Sequence, residues 1–125
     1  MKKRNEILII EDEHINRELL KIHLDKQYDL KFANSFESGM EEINTHVFDL
    51  IITDIRLGGK LDGINLLRKT KQSKTNSQTP VMAYTASESS VNQKSFEDEG
   101  FDGFITKPIL KAELERKVKT LLNLN

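Results

Sequence analysis

The stretch Leu50 to Leu57 reads LIITDIRL, an apolar run closed by an aspartate at position 54 and followed by Gly58-Gly59. It lacks the polar–apolar alternation of a strand with one wet face, so it reads as a strand over Asp49 to Ile55 buried on both sides. Such strands belong to parallel sheets covered by helices. The two glycines mark its end, because glycine supplies turn conformations that other residues resist.

Working outward, Ile7 to Ile10 is a second continuous run of this kind, and the residues after it place Ile15, Leu19, Leu20, Ile22 and Leu24 on a helical face. Tyr28 to Ala33 alternates as a less buried edge strand. In Phe36 to Val47, the residues Phe36, Met40, Ile43 and Val47 recur at intervals of four, three and four, which predicts a helix. Beyond the glycines, Ile64, Leu66 and Leu67 open a basic amphipathic helix to about Ser73, and Lys74 to Thr79 is a polar loop. Pro80 to Thr85 predicts a fourth strand, Ser87 to Glu99 a weakly apolar helix, Phe101 to Thr106 a fifth strand, and Ile109 to Leu122 a last helix carrying Ile109, Leu110, Leu114, Val118, Leu121 and Leu122. Five strand–helix units fit the length, and right-handed crossovers between parallel strands place helices on both faces of the sheet.

Composition narrows the function. The 125 residues and 37% hydrophobic content suit one compact domain over residues 1–125, and no effector domain is expected in the chain. Nineteen basic against twenty acidic residues give a net charge of -1, which offers no broad attraction to nucleic acid or anionic membrane. Cysteine is absent, which removes disulfides, thiolate metal sites and cysteine nucleophiles and accords with a cytoplasmic setting. The apolar run at Ile7 to Ile10 is too short for a signal peptide or a membrane span. His14, His23 and His46 have no metal-ligand spacing, and Arg68, Lys69, Lys71 and Lys74 read as a solvated helix face.

Ligands of such sheets gather at the carboxyl ends of the strands. Those ends carry Glu11, Asp12 and Glu13 after the first strand, Asp54 after the third, Thr85 after the fourth, and Lys107-Pro108 after the fifth. Carboxylates brought together there repel one another unless a cation intervenes. Magnesium suits Glu11, Asp12 and Asp54, because it takes oxygen ligands, keeps several waters and pairs with phosphate oxygens; manganese is able to substitute. No ladder of alternating acidic ligands points to calcium. Asp54 beside a metal is the candidate nucleophile toward phosphorus, forming an acyl phosphate. Thr85 offers a hydroxyl to the new phosphate, Ala86 is small enough to let a backbone N–H approach it, and Lys107 supplies positive charge.

The ordered motifs ILIIEDE, LIITDIRL, YTAS and FITKP resemble those of the response-regulator receiver family, over about Ile7 to Leu122. The resemblance implies an α/β, doubly wound (βα)5 flavodoxin-like fold with five parallel strands in the order 2-1-3-4-5. It implies that Asp54 is the phosphoacceptor and that Asp12, Asp54 and the backbone carbonyl of Arg56 ligate magnesium, with Glu11 acting directly or through water. Lys107 would pair with the acyl phosphate, and Lys107-Pro108 is a candidate cis bond. The donor would be the phosphohistidine of a sensor histidine kinase or a histidine phosphotransfer protein. The chain would be a signalling receiver that catalyses its own phosphorylation and slow autodephosphorylation rather than a turnover enzyme. Thr85 and Phe104 would form the switch, changing the face made by the Ser87–Glu99 helix, the fifth strand and the last helix. Output would be protein contact, without direct nucleic-acid binding or membrane insertion, by a monomer or a phosphorylation-dependent homodimer. Arg56 and Ser87 fall where side chains border the phosphoryl group and influence its lifetime. In LGGKLDG, Asp62-Gly63 lies one residue later than in the commonest form of the family, which predicts an altered loop with the phosphosite retained.

Two other classes fit less well. A flavin-binding protein of this topology needs a Ser/Thr/Gly-rich phosphate loop where this chain has Glu11, Asp12 and Glu13. A phosphohydrolase using Asp54 as nucleophile lacks the second acid of an Asp-x-Asp pair, because Arg56 stands there.

Overall fold

A computed structural model describes residues 4–58, 62–85 and 98–123. Five strands, β1 (Glu6–Ile10), β2 (Asp29–Ala33), β3 (Leu50–Asp54), β4 (Val81–Thr85) and β5 (Gly103–Thr106), form one sheet in the order β2-β1-β3-β4-β5. All pairings are parallel, as the apolar runs predict. The described helices are α1 (His14–Leu24), α2 (Phe36–Thr45), α3 (Asp62–Gln72) and α4 (Lys111–Asn123). The helix expected over Ser87–Glu99 lies almost wholly outside the described residues, as do Ala86, Ser87 and the loop residues 59–61.

Alternation along each central strand feeds two cores. Ile7, Ile9, Leu50, Ile52, Met82, Tyr84 and Ile105 meet α1 through Leu20 and Leu24, and α4 through Leu114, Val118 and Leu121. Leu8, Ile10, Ile51, Ala83 and Phe104 meet α2 and α3 through Ile43, Leu66 and Leu67 on the other face. The sheet is therefore doubly wound, and the inner strands β1, β3 and β4 are buried almost throughout while β2 alternates exposed and covered residues at the edge. No helix among the described residues is long and apolar enough to cross a membrane.

The structure departs from the expected helical face of α1. Only Leu20 and Leu24 are buried, whereas Ile15 and Ile22 are about 70% exposed and Leu19 is partly exposed. Spacings of four and three put Ile15, Leu19 and Ile22 in a stripe of their own, beside the packed one. Val47 and Leu110 likewise lie outside α2 and α4 and face solvent, because both helices are shorter than their apolar patterns.

A buried amide ties down the amino ends of β3 and β4. Asn76, in the loop read as merely polar, donates to the carbonyls of Ile43 and His46 and accepts from the Phe48 N–H and the Thr79 hydroxyl. All its hydrogen-bonding capacity is used, which is what allows it to be buried.

Candidate active site

The parallel register brings the acidic residues together. Ile10 pairs with Thr53 across β1 and β3, so Glu11 and Asp12 emerge beside Asp54 at the carboxyl end of the sheet. One carboxylate oxygen from each of Glu11, Asp12 and Asp54 lies within 4.8 Å of the others. Glu11 is fully buried, Asp54 nearly so, and Asp12 is exposed at the rim.

Each carboxylate is held. Asp54 Oδ1 accepts the Arg56 N–H at 3.0 Å and Oδ2 accepts from Lys107 Nζ at 2.9 Å. Asp12 Oδ2 accepts the N–H of Gly58 at 2.9 Å, and Gly58 adopts the left-handed backbone (φ 61°) that suits glycine at this turn. Glu11 Oε2 accepts the Glu13 N–H at 2.9 Å, while the guanidinium of Arg17 donates to the Glu11 carbonyl at 2.8 Å and fixes the turn into α1.

The protonation balance follows from burial. Desolvation pushes the Glu11 carboxyl up to about 7, against the pull of the Glu13 N–H. Desolvation also raises Asp54, partly offset by Lys107 and the Arg56 N–H. At Asp12 burial pushes upward, but the Gly58 N–H, a hydrogen bond with Glu11 and the charge of Lys107 leave it below its ordinary value. Burial pulls the Lys107 ammonium down, and Asp54 and Glu11 more than restore it, so it stays charged. One ammonium thus stands among three acidic side chains, a deficit of positive charge at a site buried at Glu11 and Asp54 and open at Asp12.

Among the other residues singled out by the sequence, Thr85 is buried at the end of β4, and its carbonyl accepts the Lys107 N–H at 2.7 Å. Phe104 is buried on the same sheet face as Thr85, two residues back in the register, opposite Ala83. Its carbonyl accepts from the Lys117 ammonium. Arg56 contributes its N–H to Asp54 while the residue itself is exposed. The Lys107–Pro108 bond is cis.

Two contacts at the site escape sequence reasoning, that of Tyr84 and that of Gly63, which the sequence marks only as part of a displaced Asp62-Gly63 turn. Tyr84 hydrogen-bonds through its hydroxyl to Glu11 Oε1, and the Lys107 Nζ sits 4.6 Å from the centre of its ring. Gly63, the second residue of α3, lies against the end of β3: a Cβ there would stand 2.4 Å from the Asp54 carbonyl oxygen and 2.6 Å from Ile55 Cα. Strand alternation could have pointed to Tyr84, since it shares a face with Met82 while Thr85 takes the other.

Fold and site define a doubly wound α/β protein with an oxygen-donor cluster at the carboxyl ends of its strands. The family model for the response regulator receiver domain matches residues 7–119, and the chain belongs to that family. The transcriptional regulatory protein SrrA of Staphylococcus aureus (strain NCTC 8325 / PS 47) is 32% identical over 119 residues, 94% of this chain and 48% of SrrA. The chain therefore spans about half the length of the curated relatives it matches. A putative response regulator from Chloroflexus aurantiacus J-10-fl superposes with a TM-score of 0.88 at 26% identity, covering 97% of this chain and 99% of that one. The receiver domain of sensor histidine kinase PA1611 from Pseudomonas aeruginosa PAO1, with magnesium coordinated in its active-site cleft, shares the fold with a TM-score of 0.86 at 23% identity, covering 97% and 99%.

Proposed function

We propose that this receiver domain takes a phosphoryl group on Asp54 from the phosphohistidine of a sensor histidine kinase or histidine phosphotransfer protein. The observation that carries the reading is the Asp54 carboxylate itself, buried at a strand end, held by Lys107 at 2.9 Å and clustered with Glu11 and Asp12. In the transfer, an Asp54 oxygen bonds to phosphorus as the phosphorus–nitrogen bond of the donor breaks. The imidazole keeps that electron pair and gains a proton.

The donor set fits a hard divalent cation, since it offers three carboxylates and no thiolate or imidazole. Glu11, Asp12, Asp54 and the Arg56 carbonyl would hold magnesium, or manganese in its place. When bound, such a cation neutralises charge on the phosphoryl oxygens. Lys107, already beside Asp54, pairs with the transferred group, and the Thr85 hydroxyl and Ala86 N–H donate to its remaining oxygens. Arg56 and Ser87, at positions whose side chains border the phosphoryl group in the family, would influence its lifetime.

Phosphorylation draws Thr85 inward and Phe104 follows into the vacated space, changing the surface around β5 and α4. The shared face of Thr85 and Phe104 supports this coupling. The exposed Ile15, Leu19 and Ile22 stripe descends from the acidic turn and offers apolar surface for a donor protein next to the cleft. Output through protein contact in the cytoplasm accords with the near-neutral charge and with the pairing of Arg68 with Glu99 and Lys71 with Asp102, which occupies basic side chains of α3.

Incubation with magnesium and a small acyl-phosphate donor, followed by intact-mass measurement, tests the reading. One phosphoryl adduct is expected on the wild type and none on Asp54→Asn. An adduct that persists in the variant, or no adduct on a metal-loaded wild type, would overturn it.

A further inference from the structure

Tyr84 fills a core position that the ring of a phenylalanine would also fill, among Ile9, Ile52, Met82 and Ile105. What it adds is a hydroxyl, and a buried hydroxyl is costly unless it is paired. Here it reaches past the end of β3, the strand between β1 and β4, to Glu11 Oε1. The other Glu11 oxygen is already held by the Glu13 N–H at 2.9 Å. Glutamate has one more rotatable bond than aspartate, so a cation ligand of this type is well aimed only when both oxygens are constrained. The same ring lies under the Lys107 ammonium at 4.6 Å, within range of a cation–π contact.

We propose that Tyr84 is a positioning residue of the cation site: its hydroxyl sets the orientation in which Glu11 meets a divalent cation, and its ring seats Lys107 beside Asp54. The proposal rests on the cation-dependent phosphoacceptor reading above. Hydroxyl and ring are separable, since Tyr84→Phe removes only the first and Tyr84→Leu removes both.

The test is a magnesium titration by calorimetry on wild type and Tyr84→Phe, with thermal melting in chelator as the check on folding. Tyr84→Phe should fold and bind magnesium roughly tenfold or more weakly, the loss typical for an outer partner of a metal ligand. At saturating magnesium, Tyr84→Leu should also take up phosphoryl from an acyl-phosphate donor several-fold more slowly than Tyr84→Phe. The chain has two tyrosines and no tryptophan, so in Tyr28→Phe the emission of Tyr84 alone reports on the site and should change saturably with magnesium. An unchanged magnesium affinity in folded Tyr84→Phe overturns the proposal, as do equal phosphorylation rates for the Phe and Leu variants. If Tyr84→Phe does not fold, an emission that ignores magnesium overturns it instead. A wild type that binds no magnesium removes the cation reading itself and this inference with it.

Discussion

Gly63→Ala separates two effects of opposite sign. Alanine is the better helix former by about 1 kcal/mol in a helix interior, and by less in a first turn such as this. Against that, the new Cβ would stand 2.4 Å from the Asp54 carbonyl oxygen, 2.6 Å from Ile55 Cα and 3.0 Å from the Ile55 carbonyl oxygen, all backbone atoms of a buried strand end. None of these atoms is a flexible side-chain tip, so either α3 or the β3 terminus must move. Overpacking of this kind costs about 1–3 kcal/mol. Backing α3 away also stretches the bond from the Gly63 N–H to the Ile55 carbonyl, now 2.9 Å, worth about another 1 kcal/mol. The steric cost wins, and the net expectation is a loss of about 2 kcal/mol. Urea denaturation should register it as a midpoint lowered by about 1 M, with the slope unchanged. Gly39→Ala is the contrast, because its Cβ would meet only side-chain atoms of Ile10 and Leu66, at 3.1–3.3 Å, which are able to shift. A Gly63→Ala midpoint equal to or above wild type would refute the reasoning, since propensity alone predicts that result.

Without divalent cations the protein should lose stability as the pH rises from about 4.5 to about 7, because Glu11 keeps its proton in the folded state up to about 7 but sheds it near 4.5 when unfolded. Asp54, also raised, acts with the same sign, whereas the raised Lys107 matters only above its ordinary 10.5; the loss, up to about 3 kcal/mol, should be read by urea titrations in chelator and should shrink in Glu11→Gln, and a flat profile would contradict it. Asn76→Ala strands the Phe48 N–H and the Ile43 and His46 carbonyls at the amino ends of the strands, and should lower stability by about 2–4 kcal/mol. Because that cluster is remote from Asp54, magnesium affinity should stay within about twofold of wild type in the cold, and a parallel loss of affinity would count against the separation.

The strands were legible because a sheet covered on both faces imposes continuous apolar runs, and residues 7–10, 50–52 and 81–83 of β1, β3 and β4 show them. The acidic cluster was legible for a related reason: Glu11, Asp12 and Asp54 stand immediately after those runs, where parallel strands must end together. What stayed hidden depends on relations between strands or on loop geometry. Tyr84 reads as one more β-forming aromatic until the register sets it beside Asp54 and its hydroxyl finds Glu11. Asn76 reads as a loop residue because its four partners come from residues 43 to 79. The stripe of Ile15, Leu19 and Ile22 misleads by periodicity, since a helix with apolar residues on two adjoining faces has the same local pattern as one that buries them all.

The concealment of Tyr84 bears on the chemistry. A carboxylate cluster with one ammonium is unfavourable where it is buried unless its oxygens have donors, and among the donors here only Lys107 is advertised by a sequence motif. Here they come from the Glu13, Arg56 and Gly58 N–H groups, the Lys107 ammonium and the Tyr84 hydroxyl. Of these, only Lys107 and Tyr84 are side chains, and the two are stacked on each other. A substitution at Tyr84 therefore acts on Glu11 directly and on Asp54 through Lys107, whereas the backbone donors are unaffected by changes in residue type that leave the turns intact. Variation among receivers in cation affinity should concentrate at positions that, like Tyr84, touch a ligand through a side chain from the neighbouring strands.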